Sequence, residues 1–258
     1  MEIDWNVVKK MALWSYEDLI KKILKVLSYN FIQEHYNPDM KEAEKYAVKL
    51  LGYDPKYAEY VSKLTDIFRK LDSFKVENYT ELIHQVENRE KCEEFLRKTK
   101  LPFKDLISVL NYIFRWVLPF RNVYLRQLVD TGNETHKECL EELRKLNIKF
   151  NLDILEHGRT RAGREKISKE TGIPESFILD LLNRADLTRL PYMSTKTVNH
   201  LFGGGYNSIN KIAQADVTKL KEDMKSYFDK RGMKLSKSFI ELEGLVEWAK
   251  TVPKIVEI

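Results

Sequence analysis

The stretch of sequence that decides the fold is Asp153–Pro191, which reads DILEHGRTRAGREKISKETGIPESFILDLLNRADLTRLP. With Asp153 placed on Glu81, it aligns without a gap with Glu81–Pro119, which reads ELIHQVENREKCEEFLRKTKLPFKDLISVLNYIFRWVLP. Identical residues stand at these equivalent positions: Arg89 and Arg161, Thr99 and Thr171, Pro102 and Pro174, Leu110 and Leu182, Asn111 and Asn183, Leu118 and Leu190, and Pro119 and Pro191. Apolar residues also stay in register, so we interpret the two stretches as one supersecondary unit used twice.

The composition predicts a helical globular protein. Of the 258 residues, 43% are hydrophobic and 32% are charged, which is typical of a chain that buries a large core. Only 10 glycines and 7 prolines are present, which favours helices over a turn-rich β fold. Apolar residues recur with the period of a helix, and no stretch alternates as a strand does. We predict an all-α fold with about a dozen helices.

The duplication predicts a tandem repeat and divides the chain into four segments. At the same offset Leu143 falls on Leu71, so the repeat begins before the two aligned stretches. We predict an N-terminal helical segment over 1–57, a first repeat copy over 58–129, a second copy with helix-hairpin-helix-like motifs over 130–216, and C-terminal helices over 217–258. The last segment is expected to hold helices near Thr218–Lys230 and Ser236–Thr251.

Two segments, 129–157 and 190–216, each read as a helix, a tight turn and a second helix, which is the layout of a helix-hairpin-helix motif. Around them stands an ordered set of residues: Gly158, Thr160, Gly163, Arg164, Thr171, Gly172, Ile173, Asp186, Leu187 and Arg189. This pattern resembles domain of unknown function family 4332 over about residues 125–216. The family has no settled activity. The resemblance implies a helix-hairpin-helix layout similar to that of DNA repair and processing proteins.

The two hairpins depart from the glycine-rich form that the resemblance implies. In that form two glycines flank an apolar residue, so that backbone N–H groups of the next helix can approach a phosphate. In Leu190–Thr197, Tyr192 and Ser194 stand in place of the glycines, and Val129–Glu134 keeps only Gly132, beside acidic residues. Two interpretations stay open: hairpins that bind phosphate, or motifs retained only for packing.

Positive charge is concentrated in His157–Lys169, where five basic residues stand against a single glutamate. Arginines on a loop suit phosphate oxygens because the guanidinium group can donate two parallel hydrogen bonds. The equivalent stretch of the first copy, Gln85–Arg97, has more acidic than basic residues, so the shared fold does not require this charge. The candidate nucleic-acid-binding residues are Arg159, Arg161, Arg164, Lys166, Lys169 and Lys196. The alternative is a solvated helix face with internal ion pairs, in which Arg164 is structural.

Other patterns argue against several classes of function. The start MEIDWNVVKK does not show the basic start followed by an apolar core that marks a signal peptide, so the expected location is the cytoplasm, with no membrane partner. Cys92 and Cys139 are expected to be buried, reduced thiols. The five histidines show no ligand spacing, and no catalytic constellation is present, so we expect no metal, no cofactor and no enzyme activity. Asp186 and Arg189, three apart on one helix face, are expected to pair with each other or to cap a neighbouring helix.

Three functional hypotheses remain. The leading one is a non-enzymatic helix-hairpin-helix-like protein that binds the backbone of DNA or RNA without sequence specificity. The second is a protein–protein interaction scaffold or a helical module that associates with itself. The third is an accessory subunit of a DNA-processing enzyme.

Overall fold

The fold is described by a computed structural model over residues 3–191, 193–234 and 242–257. The structure is 70% helical, and its described residues form sixteen α-helices and no strand, so the all-α prediction is confirmed. The helices outnumber the expected dozen because local turns divide some periodic segments. Ser28 and Tyr29, for example, separate two helices where Ser15–His35 reads as one. No helix in the described part of the chain has the length and apolar character needed to cross a bilayer.

The first compact unit spans Met1–Phe120. Its helices are α1 (Asn6–Ala12), α2 (Tyr16–Leu27), α3 (Asn30–His35), α4 (Met40–Leu51), α5 (Ala58–Ser73), α6 (Tyr79–Gln85), α7 (Arg89–Thr99) and α8 (Phe103–Tyr112). Helices α4 and α5 pack against each other, and α8 packs against α1 and α5. Leu106 and Leu110 are fully buried, so the wide apolar face of α8 lies in the core of this unit.

The second compact unit spans Arg121–Ile258. Its helices are α9 (Glu134–Lys145), α10 (Asn151–Gly158), α11 (Arg161–Thr171), α12 (Glu175–Leu187), α13 (Thr195–Gly203), α14 (Ile209–Ala213), α15 (Val217–Asp229) and α16 (Leu242–Thr251). Helix α10 packs against α11 and α12, and α16 packs against α14 and α15. Residues 235–241, where the last helix is predicted to begin, lie outside the described residues. The finer division at residues 57, 129 and 216 stays a prediction.

The helices of the two units begin at equivalent positions. Helices α6, α7 and α8 start at Tyr79, Arg89 and Phe103. Helices α10, α11 and α12 start at the three residues that the alignment makes equivalent to these, Asn151, Arg161 and Glu175. The buried apolar positions also correspond, because Ile178 and Leu182 are as fully buried as the two equivalent leucines of α8. These stretches therefore share their helix starts and their core positions.

The turns between these helices are built alike as well. The hydroxyl of Thr99 donates to the carbonyl of Phe95 and accepts from the amide of Leu101. Thr171 makes the same two bonds with Ile167 and Ile173. The residue after each threonine is left-handed: Lys100 has φ 54° and Gly172 has φ 72°. A side-chain hydroxyl that satisfies the end of a helix thus closes α7 and α11 in the same way.

Both cysteines are free and buried. Burial raises the pKa of the Cys92 thiol to about 11, and burial also raises the pKa of Cys139. A thiol with a raised pKa holds little thiolate at neutral pH, so both side chains act as small apolar core residues.

Candidate nucleic-acid interface

Helix α11 carries four of the six predicted site residues. Its first turn is closed by Thr160, whose hydroxyl accepts a hydrogen bond from the amide of Gly163 at 3.1 Å. Its last turn ends at Gly172, whose positive φ suits a residue without a side chain. These two ends fix the direction in which each basic side chain of α11 leaves the backbone.

Two of the predicted arginines are used inside the fold. Arg164 is 5% exposed, and its guanidinium donates to the carbonyl oxygens of Gly158 and Arg159 at 3.5 and 3.3 Å. The Arg159 side chain is 15% exposed, donates to the carbonyl oxygen of Glu156 at 3.0 Å, and lies 3.9 Å from that residue's carboxylate. Both groups hold the turn between α10 and α11, which supports the structural interpretation of Arg164.

The other three basic residues of α11 are exposed. The Arg161 side chain is 79% exposed and pairs with the Glu165 carboxylate at 3.0 Å. Lys166 and Lys169 are exposed and make no ion pair with any described residue. Residues three and four apart on a helix are neighbours, so Lys169 follows both Lys166 and Glu165 on the surface. The exposed face of α11, defined by Arg161, Lys166 and Lys169, therefore carries three cations with two exposed carboxylates beside them, Glu165 and Glu170.

A groove of about 300 Å³ runs beside this face. Apolar side chains of Leu146, Ile148 and Ile167 form part of its wall, and His157 and Lys166 stand among its polar residues. Glu156 and Glu170 also line it, so the groove is of mixed charge. It offers room beside the cations but no concentrated positive potential of its own.

Lys196 lies on a different helix from the other candidates. It is exposed in the first turn of α13, which packs against α12. One turn further along, the pKa of His200 is lowered, first by burial and then by the positive charges of Lys196 and Arg231. The structure therefore places Lys196 in a small basic neighbourhood on α13, and not on the exposed face of α11.

One amide in each hairpin is bonded to a side chain of the same hairpin. The amide of Gly132 donates to the carboxylate of Asp130 at 2.8 Å, so a negative charge of the chain already occupies this amide. In the other hairpin the Ser194 hydroxyl accepts from the amide of Thr197 at 3.1 Å, and Tyr192 lies outside the described residues. These internal bonds favour the packing interpretation of both hairpins.

One participant at the start of α11 was missed from the sequence. The amide of Arg161 donates to the Glu257 carboxylate at 2.8 Å, and the amide of Glu257 donates to the carbonyl oxygen of Arg159 at 2.9 Å. A carboxylate is favourable there because the first amides of a helix carry partial positive charge. The two residues are 96 positions apart, and no local pattern links them.

Metal ligands do not converge in the part of the chain that is described. No three side chains of His, Cys, Asp or Glu come together there as a potential ligand group. His136 stacks at 5.3 Å on the ring of Phe177, and His200 packs at 4.7 Å against Phe228. These two histidines therefore serve as packing residues.

A substitution separates the structural arginine from the exposed cations. Arg164→Met is expected to lower the free energy of unfolding by about 2 kcal/mol, because the carbonyl oxygens of Gly158 and Arg159 lose a charged donor. Urea denaturation followed by circular dichroism measures this change. The exposed Lys169→Met variant is the control and is expected to change stability by less than about 0.5 kcal/mol. Equal stability of the two variants would contradict the structural role of Arg164.

The fold and these contacts define the second unit as an all-α domain of short helices joined by capped turns. Residues 133–252 match the family model described as "Domain of unknown function (DUF4332)", so the predicted resemblance is confirmed. The match extends beyond the predicted range of about 125–216 and includes both C-terminal helices, α15 and α16. Neither the curated proteins nor the solved structures give a significant match to the chain.

Proposed function

We propose that the second unit binds the phosphate backbone of DNA or RNA without reading the base sequence. The exposed face of α11 supports this proposal, because Lys166 and Lys169 project into solvent and form no ion pair with a described residue. Unpaired cations on a rigid helix attract a polyanion and release its counterions on binding. The contact would be made by side chains, since the amides of Gly132 and Thr197 already donate to acceptors within the chain.

We also infer that the two units contain copies of one helical module and that the second copy carries the more basic helix face. The shared helix starts and threonine-closed turns support the duplication. At the position equivalent to Lys166 the first copy has Glu94, whereas at the positions equivalent to Arg161 and Lys169 it has Arg89 and Arg97. Arg89 is paired with Glu17 at 2.6 Å. Lys166 is therefore the cation of this face that the module does not require.

Charge reversal on the exposed face tests the proposal. The double variant Lys166→Glu/Lys169→Glu is expected to weaken binding to a labelled duplex by at least about tenfold near 0.1 M salt. The slope of log affinity against log salt should become shallower by about 2, since each lost phosphate contact contributes roughly 0.9. Fluorescence anisotropy at several salt concentrations measures both quantities.

The first copy supplies a matched control. Arg97→Glu/Lys98→Glu changes two exposed cations on α7 and alters the net charge by the same amount. This control is expected to keep most of the affinity and the original salt slope. An equal loss in both variants would show that net charge alone matters, and the α11 site would be rejected. A wild-type protein that binds neither DNA nor RNA at 50 mM salt would reject the function itself.

A second candidate function, protein docking or self-association, is favoured by a different observation. Among the described residues, four of the five large exposed apolar side chains belong to the first unit: Leu13, Val48, Tyr53 and Phe74. Leu13 is 67% exposed in a left-handed position after α1. Apolar exposure on a unit with no excess charge suits a protein partner better than a polyanion. Light scattering of wild type and Leu13→Ser would detect self-association through this unit.

The accessory-subunit hypothesis requires both nucleic-acid binding and a protein partner.

A further inference from the structure

An exposed aromatic side chain lies in the second unit, away from the helix that carries the basic face. Tyr124 is 45% exposed, and its backbone pairs with that of Phe150 through an isolated bridge. The amide of Leu125 donates to the carbonyl oxygen of Lys149 at 3.0 Å. The amide of Asn151 donates to the carbonyl oxygen of Val123 at 2.9 Å. Because hydrogen bonds fix the backbone on both sides, Tyr124 presents its ring from a rigid segment.

The ring of Tyr124 lies against one aromatic and one cationic side chain. Its centroid is 4.5 Å from that of Phe150, with the planes inclined by 39°. The guanidinium carbon of Arg126 lies over the Tyr124 ring, 4.9 Å from its centroid. Arg126 and Lys149 are both exposed and form no ion pair with any residue that the structure describes. We call Tyr124, Arg126, Lys149 and Phe150 the aromatic platform.

The carboxylate of Asp153 serves the start of α10. It accepts hydrogen bonds from the amides of Lys149 and Phe150, at 3.0 and 2.9 Å. A negative charge is favourable at this position because the first amides of a helix carry partial positive charge.

The first copy lacks the part of the platform that lies within the repeat. Phe150 and Lys149 belong to the second copy, and their equivalent positions in the first copy hold Asn78 and Glu77. Asn78 forms its own backbone bridge with Asp39 and caps α6. The helical module therefore folds without an aromatic ring at the position of Phe150 and with an acid in place of Lys149. The fold requires neither residue, and a ligand explains both.

We propose that the aromatic platform binds an unpaired base of a single-stranded nucleic acid. The base stacks on the group formed by the Tyr124 and Phe150 rings and the Arg126 guanidinium. Arg126 and Lys149 also contact the phosphates on either side of that base. Aromatic and arginine faces accept any base, so this contact selects single strands without selecting sequence. In a duplex the faces of the bases are covered by their neighbours, and the platform has nothing to stack against. This inference rests on the proposed function, and it specifies single strands as the preferred ligand.

The test compares a single-stranded oligonucleotide with a duplex of the same sequence. Tyr124→Ala is expected to weaken single-strand binding by about 5- to 100-fold, since stacking on one aromatic residue contributes roughly 1–3 kcal/mol. Duplex binding should be unchanged. Tyr124→Phe keeps the ring and should keep the affinity. A strand that carries 2-aminopurine should be quenched on binding to wild type and Tyr124→Phe, but not to Tyr124→Ala.

The cations are tested in the same assay. Arg126→Gln/Lys149→Gln should make the single-strand salt slope shallower by about 1.4, since each phosphate contact on a single strand contributes roughly 0.7. Thermal denaturation establishes that each variant is folded, and Tyr124→Leu provides a second ring deletion if Tyr124→Ala is unstable.

The outcomes separate this inference from the proposed function. If wild type binds nucleic acid and Lys166→Glu/Lys169→Glu weakens it, but Tyr124→Ala leaves single-strand affinity and 2-aminopurine quenching unchanged, the platform is rejected and the backbone site stands. If Tyr124→Ala weakens duplex and single strand equally, stacking is rejected. If wild type binds no nucleic acid, the proposed function and the platform are rejected together.

Discussion

Arg189→Met is expected to lower the free energy of unfolding by about 3–5 kcal/mol, because it leaves the Asp186 carboxylate buried without its counter-charge. The two side chains are 1% and 7% exposed. The guanidinium donates to one carboxylate oxygen of Asp186 through two nitrogens, at 2.7 and 2.5 Å, and to the carbonyl oxygen of Pro253 at 3.0 Å. The pair therefore joins the end of α12 to the segment that follows α16.

The dependence of this loss on pH identifies its cause. Burial raises the pKa of Asp186, and the positive charge of Arg189 opposes that shift. In Arg189→Met only burial remains, so the folded-state pKa lies further above the unfolded value. A carboxyl group with a raised pKa favours folding when protonated, and this advantage disappears as the pH rises through the folded-state pKa. The variant should therefore come closer to wild-type stability at acidic pH than at pH 7.

A second substitution provides the control for this prediction. Asp186→Asn in the Arg189→Met background removes the buried charge, so the double variant should recover part of the loss at pH 7 and lose the pH dependence. Guanidinium denaturation between pH 4.5 and 7.5 measures all three proteins. A cost below about 1 kcal/mol, or a cost that is the same at every pH, would show that water reaches the carboxylate in the variant.

Local patterns in the sequence predicted the parts of the structure that depend on neighbouring residues. The threonine, glycine and proline around residue 172 place the end of α11 and the start of α12 correctly, since each acts on its own turn. The ion pair between Asp186 and Arg189 follows from their separation of three residues, and the structure confirms it. The apolar register predicted the burial of Leu110 and Leu182.

Contacts between distant residues could not be predicted in this way. The burial of Arg159 and Arg164 depends on how tightly α10 turns into α11, which a list of basic residues does not show. The bond from Arg161 to Glu257 spans 96 residues. The pairing of Tyr124 with Phe150 arises from an isolated backbone bridge without strand-like alternation. The sequence therefore identified a basic segment correctly but could not say which of its cations reach solvent.

Gly163→Ala is expected to lower the free energy of unfolding by about 3 kcal/mol, because a side chain at this position has no space. A Cβ atom there would fall far inside the contact distance of the His157 carbonyl oxygen, and 3.1 Å from the Thr160 hydroxyl. The first of these atoms belongs to the backbone and cannot move without opening the turn. Thermal and urea denaturation of the single variant measure the loss.

The equivalent turn of the first unit provides the control and explains why glycine is needed in only one of the two turns. Its equivalent residue is Lys91, which has a Cβ atom and pairs with Glu87 at 2.7 Å. Three residues separate α6 from α7, whereas only Arg159 and Thr160 separate α10 from α11. The shorter connection brings the end of α10 onto the first turn of α11, and only glycine fits beneath it.

Lys91→Ala should therefore cost no more than about 1 kcal/mol, the value of one exposed ion pair. If Gly163→Ala were equally mild, the close approach of α10 to α11 would not be what requires the glycine. Combining Gly163→Ala with Arg164→Met tests whether the alanine opens the turn that holds Arg164 against the carbonyl oxygens of Gly158 and Arg159. If it does, the two losses fall short of adding, because either change already disrupts the same contacts. Losses that add in full would show that the alanine leaves the Arg164 contacts intact and would contradict a turn in which only glycine fits.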